Sequence, residues 1–411
     1  MGEMVATAAL LFLLGSLAGD TRSDSVGDLL TERCLALGID LDPDNPRAPH
    51  PSAEDMQALS RSGAGPWLDA QISSAEDSVG EPPAGLRDFL KDRHGPLWSV
   101  IAVLEKQSPE PLVKAGSTAM PKLLPFVRLE KLLLATALAE ARSGNTIEAE
   151  RALEASWSLA RAFSSGHYLL SQLLSNAVER WQAGVLRKLP ETPFSWINRL
   201  SSDSPWSRML DSVAEEGTLT DPTQVAPSMD SSRPVRARAL AALADALRRV
   251  SPCELPDLSE EEIFQPASDV FRLEGSNEAH ASAQGEREIA FDNFLSSIRR
   301  AGRLMVDREL TLKVLELRFE KAASRENAWP TAFENLGSSV CPGVVYSYSS
   351  DGKSMAIRFD GPVDTPKGGV VLPLEFRSGT ALAALSPAPA PTPTPIPPKP
   401  EDLDSFEAPE P

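Results

Sequence analysis

Between Leu123 and Pro190 the apolar residues recur at helical spacing, and each run has a clear stop. Leu129, Leu132, Leu133 and Leu138 form one stripe that ends at Gly144. Asn145 followed by Glu148 then has the form of an N-cap with its reciprocal partner, so a helix, a tight turn and a second helix are predicted. The second helix carries Leu153, Trp157 and Ala160 at i, i+4 and i+7. A third, from about His167 to Leu189, aligns Leu170, Leu174, Ala177, Val178, Trp181 and Val185. Three successive amphipathic helices must pack on one another, because each carries an apolar stripe that water would penalise.

The same spacing appears more briefly on either side. Leu97, Val100, Ile101 and Leu104 predict a helix that ends before Pro109, with regular structure starting near Leu86. Upstream, Gly19 to Gly85 is broken by seven prolines and offers only short helical candidates at Val26–Leu37 and Ala53–Ser60, which reads as a leader wrapping a core. Downstream, Pro190 to Arg233 is an irregular crossing anchored by Trp196 and Trp206. Helix resumes at Pro234 in the favoured first-turn position, with Leu240, Leu243 and Leu247 inward. The last helical region spans about Glu286 to Ala323, is expected to break near Gly302, and carries Ile289, Phe294, Ile298, Leu310, Val314 and Leu317 inward.

After Trp329-Pro330 the period changes. Val344–Tyr348 and Met355–Phe359 alternate as strands, and Asp351-Gly352 between them supplies the positive backbone angles of a tight hairpin. Val370–Phe376 would complete an antiparallel sheet. Because a small sheet is marginal alone, it is expected to lie on the preceding helix, with Trp329 as a staple and Tyr346 and Tyr348 sharing a face. The fold class is therefore mainly α: an irregular bundle of antiparallel helical hairpins with a small C-terminal antiparallel sheet. The divisions are a leader at 19–85, a helical domain at 86–325, a sheet module at 326–377 and a tail at 378–411.

The two ends of the chain carry their own signals. Met4 to Ala18 is apolar and free of charge, as long as the core of a secretory signal and too short to span a bilayer as a relaxed helix. Glu3 precedes it and no Lys or Arg does, so either the true start lies upstream or the run is not an export signal. At the other end, eight of the fourteen residues from Pro387 to Pro400 are proline, which predicts extended polyproline II followed by a disordered acidic end.

Net charge is −18, and no Lys/Arg cluster interleaved with aromatics offsets it, which argues against nucleic acid as a partner. Membrane contact is expected only through an uncleaved N-terminal segment, since the field opposes an anionic surface. Cys34, Cys253 and Cys341 match no metal spacing. In an oxidising compartment Cys253 and Cys341, both in proline-stiffened loops, are the candidate disulfide, the alternative being three buried or free thiols. His50, His94, His167 and His280 have no ligand-spaced partner, and no phosphate loop, nucleophile elbow or His-Glu-x-x-His occurs. Glu260 to Glu262 read as a solvated helix start, and the tryptophans as core residues. No catalytic residue, cofactor or metal is assigned.

Two resemblances add to this. Ala139, Gly144, Ala149 and Leu153 are similar to the turn of a tetratricopeptide repeat, although Arg161 stands where that repeat places its closing proline and no second copy follows. The series Leu315, Leu317, Trp329-Pro330, Cys341-Pro342-Gly343, Tyr348, Asp351-Gly352 and Leu372-Pro373-Leu374 resembles the ending of a group of bacterial envelope proteins without assigned function. That resemblance implies an exported or anchored protein, periplasmic or facing the periplasm, that partners other envelope proteins. A looser analogy, to the globular part of type II pseudopilins, lacks the prepilin cleavage glycine followed by Phe and Glu. The expectation is a non-enzymatic helical interaction scaffold. The alternative is a hydrolase or lyase acting on an envelope polymer, which would require two buried carboxylates facing each other in a deep cleft.

Overall fold

The computed structural model describes residues 26–41, 49–106, 123–164, 169–193, 195–219, 233–273, 283–364 and 371–379. The Met4–Ala18 run, the proline tail, His167 and His280 lie outside them. The chain is mainly helical with one small three-stranded antiparallel sheet. In chain order the helices are α1 Val26–Leu35, α2 Ala53–Ser62, α3 Ala64–Ile72, α4 Ala84–Asp92, α5 His94–Lys106, α6 Leu124–Arg142, α7 Thr146–Ser164, α8 Leu169–Lys188, α9 Ser195–Ser201, α10 Pro205–Leu219, α11 Arg233–Leu247, α12 Glu260–Leu273 and α13 Ala283–Ala323. The strands are β1 Ser347–Ser350, β2 Met355–Arg358 and β3 Glu375–Ser378. Among the described residues no helix is long and apolar enough to cross a membrane.

The central helices follow the leucine stripes. Leu129, Leu132, Leu133 and Leu138 of α6 and Leu153 of α7 have no solvent exposure. Gly144 closes α6 with φ +82°, a conformation that a side chain would strain. Asn145 takes the expected N-cap position, its carbonyl accepting from Ala149 N at 3.0 Å, but its side-chain amide donates across the turn to Glu140 Oε2 at 2.7 Å and makes no reciprocal bond with Glu148. A full capping box forms instead at α12, where Ser259 N and Oγ both donate to Glu262 and Glu262 N donates back to Ser259 Oγ.

Helix begins well before Leu86. The proline-broken segment holds α1 and α2 close to where short helices were expected, and α3 besides, and its Leu30, Leu37, Trp67, Leu68 and Ile72 belong to the same apolar cluster as α5 to α9. Prolines there break the chain into short helices without preventing them, because each helix is anchored by burial. Ser52 caps α2, accepting from Asp55 N at 3.0 Å.

Three apolar clusters surround one spine. The first joins α1 to α9; the second gathers α10, α11, α12 and the first half of α13; the third sets the sheet against Val306, Leu310, Val314 and Leu317 of α13. Helix α13 runs unbroken through Gly302, where a break was expected. That glycine is needed for closeness, because a Cβ would lie 3.0 Å from Pro252 Cβ and 3.3 Å from the Trp206 ring. Its 41 residues make a rod about 60 Å long, enough to touch every cluster in turn.

The sheet has the order β1-β2-β3, with Tyr348 opposite Ile357 and Ile357 opposite Phe376. Strands β1 and β3 start three and five residues later than the alternating pattern suggested. Asp351 makes the hairpin: Oδ1 accepts from Lys353 N and Ser354 N, and Gly352 has φ +83°. The free edge of β3 is covered from within the chain, where Asp77 N donates to Arg377 O and Arg377 N donates to Ala75 O, each at 2.9 Å.

Candidate binding groove

The α7 sequence puts Glu154, Trp157, Ser158, Arg161 and Ser164 on one face, since those positions advance by three, four, seven and ten residues. That face forms one wall of a groove of about 480 Å³. Opposite stand Arg199, Ser202, Asp203 and Arg208, carried by α9, the turn after it and α10. Glu179 of α8 and Arg308 of α13, both nearly buried, also line it. No single segment holds the groove, so linear spacing gave no signal for it.

Its charges are paired. Glu179 accepts from Ser175 Oγ at 3.0 Å, from Arg308 Nη1 at 3.1 Å and from Arg208 Nη2. Arg208 Nη1 also reaches Asp203 at 2.5 Å, and Arg199 Nη1 reaches Glu154 at 2.5 Å. Burial pushes the Arg308 guanidinium below its ordinary range, and Glu179 beside it works in the other direction. Arg308 Nη2 also donates to the carbonyl of Leu200, holding the end of α9 against α13. Each carboxylate lining the groove is thus engaged by an arginine.

The apolar part is indole. Trp157 is half-buried and meets the fully buried Trp196 edge to face, with ring centroids 5.4 Å apart at 78°. The Arg199 guanidinium lies 4.7 Å from the Trp196 ring centre and 5.9 Å from that of Trp157. Arg161 is exposed and enters no ion pair among the described residues. A second, more open cavity of about 540 Å³ lies where Ile197, Glu316, Glu320, Phe333 and Glu334 meet.

The residues singled out in the sequence sit elsewhere. Cys253 and Cys341 form a disulfide with their Cα atoms 5.5 Å apart, tying the loop after α11 to the sheet module. Cys34 is a buried free thiol, its ionisation suppressed by burial. Trp329 is 4% exposed within the sheet–α13 cluster, and the Lys321 ammonium lies 4.4 Å from its ring centre. Tyr346 is buried and donates to Glu309 Oε2 at 2.9 Å, while the half-buried Tyr348 donates to the Pro330 carbonyl at 2.6 Å. Burial, with Glu309 adding to it, pushes the Tyr346 phenol upward. Trp329 and both tyrosines are therefore packing residues here, and the structure does not bring them into the groove. Among the described residues no cluster of His, Cys, Asp and Glu could hold a metal ion. Compared with known proteins, the chain matches no family model, no curated protein and no solved structure.

Proposed function

We propose that this chain is an exported or membrane-anchored bacterial envelope protein acting as a non-enzymatic interaction scaffold, with the α7 groove as its contact surface. The architecture we infer for it is an irregular bundle of antiparallel helical hairpins carrying the sheet at one end. One observation carries the reading. Glu154, Glu179 and Asp203, the acids of the groove, are each paired with an arginine, so the groove presents a fixed pattern of ion pairs and hydrogen-bonding groups and not two free carboxylates facing each other. Trp157 beside Arg161 and Arg199 has the composition of a binding hot spot. The Cys253–Cys341 disulfide supports an oxidising compartment.

The test is photocrosslinking in cells of a bacterial host. A photoreactive residue at Ser158, inside the groove, is compared with one at the exposed Ile147 near the start of the same helix. Reproducible adducts at position 158 alone, in the envelope fraction, are the expected result. No adduct at 158, or the protein in the cytosolic fraction, overturns the reading.

A further inference from the structure

The groove's charge pattern narrows what it can hold. Arg161, Arg199, Arg208 and Arg308 face Glu154, Glu179 and Asp203, leaving one net positive charge in a chain of net charge −18. Among the described residues the groove cation without an ion pair is Arg161, at the exposed end of the wall that also presents Trp157. A ligand with several negative charges would meet Glu154 and Asp203 with acceptors only, and like charge would repel it. A single carboxylate fits Arg161, whose planar fork matches it in two hydrogen bonds.

The rest of the lining is both donor and acceptor. Carboxylates paired through one oxygen keep lone pairs, the arginines keep N–H groups, Ser158 supplies a hydroxyl that can do either, and Ser164 and Ser202, which donate to the Arg161 and Arg199 carbonyls, keep lone pairs that accept. Such a rim suits a ring of hydroxyl groups, which must also both donate and accept. The half-buried indole of Trp157, which lines the groove, supplies apolar surface for the C–H side of that ring. A volume near 480 Å³ admits one or two sugar rings. From this we infer that the groove binds a carboxylated saccharide, with the carboxylate on Arg161 and one sugar face on Trp157. The inference rests on the groove being the contact surface, and it names the chemistry of what is contacted.

Titration calorimetry of the full-length oxidised protein with D-glucuronate, D-glucose and glutarate tests it. Glucuronate should bind, with glucose and glutarate each weaker by about tenfold or more, the worth of one charge-assisted contact. Arg161→Gln changes an exposed side chain and should bring glucuronate down to the level of glucose. Trp157→Phe, which keeps an aromatic ring in a half-buried site, should weaken both sugars while leaving thermal unfolding near that of the parent. Glutarate binding as tightly as glucuronate, glucuronate affinity unchanged in Arg161→Gln, or no binding of glucuronate up to its solubility limit would each overturn it. Groove-specific adducts to a polypeptide, with glucuronate unbound, would leave the scaffold reading standing and remove this one. Sugar binding without any adduct in cells would do the reverse.

Discussion

Arg187 of α8 and Asp307 of α13 face each other in the interior, with Arg187 Nη2 3.7 Å from Asp307 Oδ1 and both side chains almost wholly removed from solvent. Arg303 Nε approaches the same oxygen at 3.5 Å. These separations are charge pairings longer than hydrogen bonds. The guanidinia spend their hydrogen bonds elsewhere: Arg187 Nε on Thr311 Oγ1 and Nη1 on the Pro373 carbonyl, both at 2.9 Å, and Arg303 Nη2 on the Leu372 carbonyl at 2.6 Å. The pair thus clamps the segment leading into β3 onto two crossing helices. Burial pushes the Asp307 carboxyl up, and the surrounding arginines, Arg303 first, pull it down.

Removing one partner of that cluster should be costly, because the other charge stays buried. Arg187→Met is expected to lower unfolding stability by about 3–5 kcal/mol, read from urea denaturation with the slope unchanged. A loss below about 1 kcal/mol would show that water already reaches the pair.

Glu130 gives a pH prediction. It is fully buried on α6, accepts from Ser156 Oγ at 2.6 Å, and Ser156 Oγ accepts in turn from Gln182 Nε2 at 2.9 Å. Desolvation pushes its carboxyl well above the usual range, with the Ser156 bond acting weakly the other way. The folded state therefore keeps a proton that the unfolded chain releases above about pH 4.3, so this residue's contribution falls as pH rises from there through the folded value. Glu130→Gln, which mimics the protonated acid, should match the parent at pH 4 and melt higher at pH 8. Equal melting differences at both pH values would contradict the assignment.

Much of this fold is legible in the leucines, and α8 shows where legibility ended. Leu97, Leu132, Leu240 and Leu310 were all read as inward, and all are buried. Helix α8 was read as amphipathic, with Leu170 on its inner face; Leu170 is 45% exposed, while Ser171, Gln172, Ser175 and Asn176 on the polar side are buried. A polar stripe is normally assigned to water. Here neighbouring helices enclose both faces: Gln172 Nε2 donates to the Ser164 carbonyl at 3.0 Å and Glu179 is met by Arg308 from a distant segment, while Ser171 and Asn176 are enclosed without a side-chain hydrogen bond among the described residues. Only tertiary packing brings those partners together, and the groove escaped linear reading for the same reason.

The disulfide should matter to the sheet module more than to the helices. Cys253 and Cys341 are 88 residues apart, and closing a loop of that size contributes about 4 kcal/mol in the chain-entropy model. The double variant Cys253→Ser/Cys341→Ser is expected to lose most of that amount. Hydrogen exchange should rise first at β1 to β3, which pack in the cluster that contains both cysteines. Uniform loss of protection across α6 to α8 would show that the bridge does not act locally.

Gly184 marks a close crossing of α8 with α3 and the segment entering β3. It lies in α8, where a Cβ would sit 2.8 Å from Ile72 Cβ and 2.9 Å from Leu372 Cδ2, both below normal contact. Ile72 ends α3 and Leu372 leads into β3, so one missing methyl lets an N-terminal helix and the sheet's last approach close on the same turn. Neither neighbour can yield freely, since both are buried. Helix propensity alone would favour alanine here by up to about 1 kcal/mol. Overpacking opposes it at about 1–3 kcal/mol, so Gly184→Ala should be net destabilising and Gly184→Val more so, with midpoints of urea unfolding falling in that order. The companion change Leu372→Ala in the Gly184→Ala background separates the two causes. If the clash with Leu372 sets the cost, the pair should lose less than the sum of the single variants; strict additivity would place the strain on Ile72 instead.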